Sequence, residues 1–296
     1  MMVEGGFEVA IRLPMSLGES PVWSAQSQTL YWVDINRGHI YAWQPASGEP
    51  PDRFDLEEKV GCVALCEDGL LAAQASGVER LTFPLGSRRV RLADNPEWRA
   101  GGGNRFNDGR CDPSGRFWVG TLAADEATPS AALYCLTDGE LTQRRSAITI
   151  ANGLAFSPDR QWLYHADSPT RRIMRYPFDV STGTMGDAEV WVDLDRHDLP
   201  GVPDGAAVDS DGNYWCALYG GSQIVKFAAD GRWLESHALP CPDPTMVAFG
   251  GADLRTLYVT TATQHLDDTG LERYPLAGSL FSMPVTTPGL PEPVVA

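Results

Sequence analysis

The sequence predicts an all-β chain folded as a six-bladed β-propeller with four-stranded antiparallel blades. Three observations carry this. A polar turn leading into a strand with a large residue recurs six times. The recurrences stand 39, 47, 46, 51 and 43 residues apart, counted between Trp32, Leu71, Trp118, Tyr164, Trp215 and Tyr258. Helical periodicity is nowhere sustained, and strand-like alternation fills the intervals. A period of that size in strand-like segments marks a propeller with one sheet per blade. Six such units leave almost nothing over in 296 residues.

The elements follow in order. Phe7 to Leu13 alternates ahead of the first full unit and is expected to pair with the last blade, closing the ring and removing an exposed edge. The six units are anchored by Leu30-Tyr31-Trp32-Val33, Leu70-Leu71-Ala72, Phe117-Trp118-Val119, Trp162-Leu163-Tyr164, Tyr214-Trp215-Cys216 and Leu257-Tyr258-Val259. Each is entered through a turn-forming group such as Asp68-Gly69, Pro113-Ser114-Gly115 or Asp211-Gly212. Outer strands are read at residues 39–43, 78–83, 132–136, 172–176, 223–227 and 279–283, where period-two alternation is rich in Tyr, Phe, Ile and Val. Longer insertions fall at 88–103, 123–130 and 193–203, and loops of that length in a compact scaffold are often functional. One propeller domain spans 1–296, structured over about 7–285, with 286–296 as a Pro-rich tail.

Composition narrows the function classes. The net charge is −16, from 23 basic and 39 acidic residues. Such a field repels phosphate backbones and anionic lipid, so neither nucleic acid nor membrane is expected as a partner. No apolar run approaches the ~20 residues a membrane-spanning helix requires. Met1 to Ala10 has no basic leading region, so it does not read as a signal peptide, and a cytoplasmic location is expected. The chain is expected to act as a monomer or weak homo-oligomer. The six cysteines form no C-x-x-C pair and read as structural thiols.

The innermost strands of a propeller converge on its axis, so residues opening those strands meet although far apart in sequence. At that place stand Glu19, Asn107, Asn152 and Asp204, lying 13, 11, 12 and 11 residues before their anchors. In the two remaining blades the position is non-ionisable, near Gly61 and near Thr245. Two convergent carboxylates repel unless one is protonated or a cation lies between them. Carboxylate and amide oxygens suit a hard divalent ion such as Ca²⁺, Mg²⁺ or Mn²⁺. The competing reading is that Asn-Gly and Asp-Gly are common turn pairs; four at equivalent places in a ring favour the metal.

Other signals fail. Asp209-Ser210-Asp211-Gly212-Asn213 resembles the start of an EF-hand loop, but the twelfth position is Gly220 rather than Glu. Gly101-Gly102-Gly103-Asn104 neither follows G-x-G-x-x-G nor opens a helix. No Ser stands in G-x-S-x-G, the five histidines have no ligand or triad spacing, and His165 reads as structural.

The segments Gly18-Glu19-Ser20-Pro21-Val22-Trp23, Asn104-Arg105-Phe106-Asn107-Asp108-Gly109, Asp112-Pro113-Ser114-Gly115-Arg116-Phe117-Trp118-Val119-Gly120-Thr121, Ala151-Asn152-Gly153-Leu154 and Pro203-Asp204-Gly205 together resemble the regucalcin/gluconolactonase family. The likeness runs in order over nearly the whole chain, from about Leu17 to Pro284. It implies one divalent cation, Ca²⁺, Zn²⁺, Mg²⁺, Mn²⁺ or Fe²⁺, at the centre of the propeller, and hydrolysis of sugar lactones. By position, the resemblance makes Glu19, Asn152 and Asp204 the metal ligands and Asp204 the candidate general base. Arg105 and Asn107 would contact the sugar or the lactone. Where the family often carries a Glu after its Gly-Thr strand, this chain has Asp125, with Glu126 beside it.

The expected activity is therefore opening of an aldono-1,4- or 1,5-lactone of the glucono-, galactono-, arabino- or xylono- class to the aldonic acid. A cation would polarise the lactone carbonyl and stabilise the oxyanion formed by water attack. Asp204 either accepts the proton of that water or only orients it. Two other readings stand beside this one: an ester or organophosphate hydrolase on the same fold, and a non-catalytic calcium-binding or regulatory propeller.

Overall fold

The computed structural model describes residues 6–98 and 103–295. The expected signal-free leader before Gly6 and the glycines at 101 and 102 fall outside these described residues. Six antiparallel sheets stand in a ring, one after another along the chain. The first blade is built from Gly18–Ser24, Thr29–Asp34, His39–Trp43 and Asp52–Asp55, the second from Val60–Cys66, Gly69–Gln74, Gly77–Thr82 and Arg89–Asp94. The third comprises Arg105–Cys111, Phe117–Leu122, Ala131–Thr137 and Glu140–Ile148. The fourth has Ala151–Phe156, Trp162–Asp167, Arg172–Asp179 and Glu189–Asp193, with the short pair at Thr184–Met185. The fifth is Val202–Val208, Tyr214–Tyr219, Gln223–Phe227 and Trp233–Ala238. The sixth joins Pro244–Gly250, Thr256–Thr261 and Leu280–Pro284 to the N-terminal strand Glu8–Ile11, which closes the ring as expected.

Every repeat anchor lies on the second strand of its blade. Successive residues there face opposite neighbours, which is what the period-two pattern encodes. Trp215 and Ala217 pack towards the sixth blade, while Tyr214 and Cys216 pack towards the fourth. Buried apolar side chains consequently gather in six clusters, each astride one blade interface. No blade buries both faces of its sheet by itself. A recurrent polar device locks the large anchors: Asp112 accepts the indole N–H of Trp118 at 3.0 Å, and Asp209 that of Trp215 at 3.0 Å.

Four expectations change. The strands read as outermost are the third of each blade; outside the sixth blade the fourth was not legible because both its faces are wet, as in Asp52–Asp55 and Trp233–Ala238. Part of the 88–103 insertion is such a strand, Arg89–Asp94. One short helix, Asp268–Arg273, is present, capped by Asp267 accepting from the Gly270 N–H. The Pro-rich tail does not trail away. Ser210 N–H donates to Pro288 O at 2.9 Å, and Val295 N–H to Leu65 O at 2.8 Å, so the segment crosses from the fifth blade to the second. Among the described residues no helix is long and apolar enough to cross a membrane. All six cysteines are buried free thiols, and Asp209 of the EF-hand-like segment is consumed as a turn cap for Asp211 and Asn213.

Candidate active site and cation centre

Each innermost strand carries an irregularity in its pairing, and the irregularities coincide with the residues that open the strands. The register shifts between Glu19 and Val22, Val60 and Cys62, Phe106 and Gly109, Asn152 and Ala155, Pro203 and Ala206, and Pro244 and Met246. A β-bulge frees one or two residues from the ladder and re-aims their side chains. The six bulges therefore present Glu19, Asn107, Asn152 and Asp204 to the axis, with Gly61 and Thr245 completing the ring. Two aspartates hold the approaches. Asp34 accepts from the N–H groups of Ser16 and Leu17, just ahead of Glu19. Asp167 does the same for Thr149 and Ile150, just ahead of Asn152.

Glu19, Asn107, Asn152 and Asp204 line one cavity of about 90 Å³ together with Arg105 and Glu126. A directed hydrogen-bond chain joins three blades around it. Arg105 Nη1 donates to Asn107 Oδ1 at 2.7 Å, Asn107 Nδ2 to Asn152 Oδ1 at 2.9 Å, and Asn152 Nδ2 to Ser168 Oγ at 2.8 Å. Ser168 Oγ then donates to Pro203 O at 2.7 Å, the carbonyl immediately before Asp204. Because a guanidinium only donates, Arg105 fixes the sense of every later link and hence which atom of each amide is oxygen. Asn107 is thus tied to Asn152 as well as to Arg105, and Asn152 Oδ1 keeps a lone pair free.

The electrostatics are those of a carboxylate pair that Arg105 compensates only in part. Burial raises the Glu19 carboxyl to about 8, with Asp108 adding to the effect. Burial also lifts Asp204 well above the ordinary carboxylate range, aided by Glu19 and then Asp108. No salt bridge joins Arg105 to either carboxylate among the described residues, and its guanidinium is itself pulled down by burial. Among those residues no set of three or more His, Cys, Asp or Glu is placed to hold a metal. A cation would therefore need the Asn152 amide oxygen beside the two carboxylates. That all-oxygen donor set, with two buried carboxylates that make no salt bridge among the described residues, fits a hard divalent ion.

A pH dependence follows. A cation must displace the protons that Glu19 and Asp204 retain, so Ca²⁺ affinity of metal-stripped protein should rise from pH 6 to 8 with proton release, as read by calorimetry in buffers of differing ionisation heat. Between the unfolded carboxyl value of 4.5 and about 8 the folded protein binds more protons than the unfolded chain. Cation-free stability should accordingly fall as pH rises through that window, the sign opposite to that of a salt-bridged carboxylate.

Asp125 is not brought into the cavity. It is fully exposed, accepts from Ala127 N–H, Thr128 N–H and Thr128 Oγ1, and these bonds lower it to about 2. Its neighbour Glu126, at φ 53°, lines the cavity instead and exerts the largest charge effect on Arg105. Three participants escaped the sequence reading. Asp108 was visible in Asn107-Asp108-Gly109 but had no assigned role; its Oδ2 accepts from Leu154 N–H at 2.8 Å, and Oδ1 has no hydrogen-bond partner. Ser168 and Tyr219 carried no signal. Tyr219 Oη lies 2.9 Å from His265 Nδ1 at the rim and accepts from Gln264. His165 is buried away from the cavity lining and kept neutral, pulled down to about 3 by burial and then by Arg145.

Residues 17–263 match the family described as SMP-30/Gluconolactonase/LRE-like region. The chain is 41% identical to a 6-deoxy-6-sulfogluconolactonase of Pseudomonas putida over 97% of both chains. It is 36% identical to a pentonolactonase of Haloferax volcanii, over 93% of each. Among solved structures, a calcium-binding protein, regucalcin, from Agrobacterium tumefaciens superposes with a TM-score of 0.92 at 31% identity, covering 97% of this chain and 96% of that one.

Proposed function

This chain belongs to the SMP-30/gluconolactonase/LRE-like family of sugar lactonases, hydrolases of cyclic esters, and from that premise we propose that it opens an aldono-1,4- or 1,5-lactone to the aldonic acid with one divalent cation at its axis. The observation that carries this reading is the convergence of Glu19, Asn152 and Asp204 on one small cavity that also admits Arg105. Glu19, Asn152 and Asp204 would hold the cation, which when bound supplies charge that polarises the lactone carbonyl.

The remaining work falls to the chain. Arg105 spends Nη1 on Asn107 and on Phe106 O, leaving its other guanidinium N–H groups for substrate oxygens. Asp204 lines the cavity, where it can accept the proton of an attacking water. A second cavity of about 360 Å³ shares Arg105, Leu122 and Glu126 with the first and adds Lys59 and Trp98. It offers room for the polyhydroxylated tail of a sugar. The names of the relatives point to hexono- and pentonolactones as the class.

The test is a panel of glucono-, galactono-, arabino- and xylonolactones assayed by proton release against Ca²⁺, Mg²⁺, Mn²⁺, Zn²⁺ and Fe²⁺. Hydrolysis that chelation abolishes and a divalent ion restores is expected, with aryl esters turned over more slowly. Tight calcium uptake with no lactone hydrolysed above background would favour the binding propeller instead.

A further inference from the structure

The mouth of the ring opposite the cavity is crossed by the C-terminal segment. It is fixed by Gly289 N–H donating to Leu254 O at 2.9 Å, by its bond from Ser210, and by Val295 N–H on Leu65 O. A Cβ on Gly289 would lie 2.2 Å from Phe249 Cβ, so the strap is seated tightly on the sixth blade. Midway along it Glu292 Oε1 meets Arg110 Nη1 at 2.5 Å, each side chain only 12% exposed.

Arg110 does more than neutralise Glu292. Its Nε donates to Leu154 O at 3.1 Å and its Nη2 to Ala206 O at 2.8 Å. Leu154 is two residues beyond Asn152, and Ala206 two beyond Asp204, so both carbonyls belong to the bulges that carry those side chains. The same Leu154 presents its N–H to Asp108. One planar fork therefore ties the third, fourth and fifth blades directly beneath two of the three candidate cation-binding residues, and the strap holds the fork. A fork of fixed geometry with three separate acceptors is a more exacting restraint than a point charge.

We propose that Arg110 and Glu292 are positioning residues for the cation centre: the C-terminal strap, through this ion pair, sets the backbone that aims Asn152 and Asp204. The proposal rests on the cation reading above. It makes a segment on the far face part of the site's support, by a contact 182 residues long in sequence.

The full-length wild type, Glu292→Gln, Glu292→Asp and Arg110→Lys, all metal-stripped, are titrated with Ca²⁺ by calorimetry. Hydrogen exchange is followed by peptide over all six blades. Glu292→Gln and Arg110→Lys are expected to weaken Ca²⁺ binding by about 10-fold, the scale of losing an outer support of a metal ligand. Exchange should quicken in peptides covering 151–156 and 202–208 but not elsewhere, and Glu292→Asp should recover most of the affinity. Unchanged Ca²⁺ affinity in both Glu292→Gln and Arg110→Lys overturns the proposal, as does exchange that quickens equally in every blade, which is the mark of a general stabilising role. A wild type that takes up neither Ca²⁺ nor any of Mg²⁺, Mn²⁺, Zn²⁺ and Fe²⁺ titrated in its place overturns the cation reading instead. The exchange pattern then decides the clamp alone, supported if confined to those two strands and rejected if absent.

Discussion

Asp204→Ala is expected to lower kcat/KM for the best lactone by about 1,000-fold or more, since it removes a proton acceptor and a cation-binding oxygen together. The same substitution should leave the cation-free protein as stable as before, or more so. Asp204 is buried, and burial together with Glu19 and Asp108 opposes its charge, so the folded chain gains nothing from that carboxylate when no cation is present. A rise or no change in Tm alongside lost activity is the pattern of a group kept for function at the expense of stability. Asp204→Asn separates its two roles. If Ca²⁺ is still taken up while hydrolysis is lost, Asp204 is the proton acceptor; comparable retention of both would reduce it to a ligand. Activity within a few-fold of wild type in Asp204→Ala would remove the residue from the site altogether.

Gly61→Ala is expected to cost a large amount of stability for one added methyl group. Gly61 has an ordinary negative φ, so the backbone does not demand glycine there; the neighbouring blade does. An added Cβ would lie 2.4 Å from Phe106 O and 2.9 Å from Asn107 N, both main-chain atoms of the strand bearing Arg105 and Asn107. Main chain cannot step aside as a flexible side chain can, so the second and third blades must separate at the axis. Overpacking of that kind costs about 2–3 kcal/mol. Tm should drop by several degrees in a thermal melt, and Arg105-dependent KM should rise, because the displaced strand carries the guanidinium. A Tm within one degree of wild type would show that the two blades can slide apart freely.

The contrast between these two positions shows what the chain discloses on reading. Gly61 and Asp204 occupy equivalent places in the repeat, and both are located by counting back from a large-residue anchor, Leu71 and Trp215. That counting works because a blade is a local object: its four strands are joined by short turns, and its period survives as a period in sequence. The ring-closing strand was legible for another reason: its alternation stands ahead of the first unit and has no partner nearby. The fourth strands of the other five blades were not, because an outer edge wetted on both faces has little apolar alternation to betray it. The choice between Asp125 and Glu126 was also hidden. Two adjacent acids on a loop differ in role only through a left-handed backbone turn at Glu126, which spends the Asp125 carboxylate on its own loop.

Sequence by itself determined the number of blades, their order, and the kinds of oxygen donor gathered at the axis. Tertiary structure decided the rest: the bulges that aim those donors, the one-way chain from Arg105 to Pro203, and the strap whose Glu292 reaches Arg110. The physical reason is the separation of scales. Contacts that build the first five blades join residues within about twenty of one another and leave a rhythm in the chain, whereas contacts at the axis join residues from different blades. Their geometry depends on how six sheets close into one ring, and no local pattern records that closure.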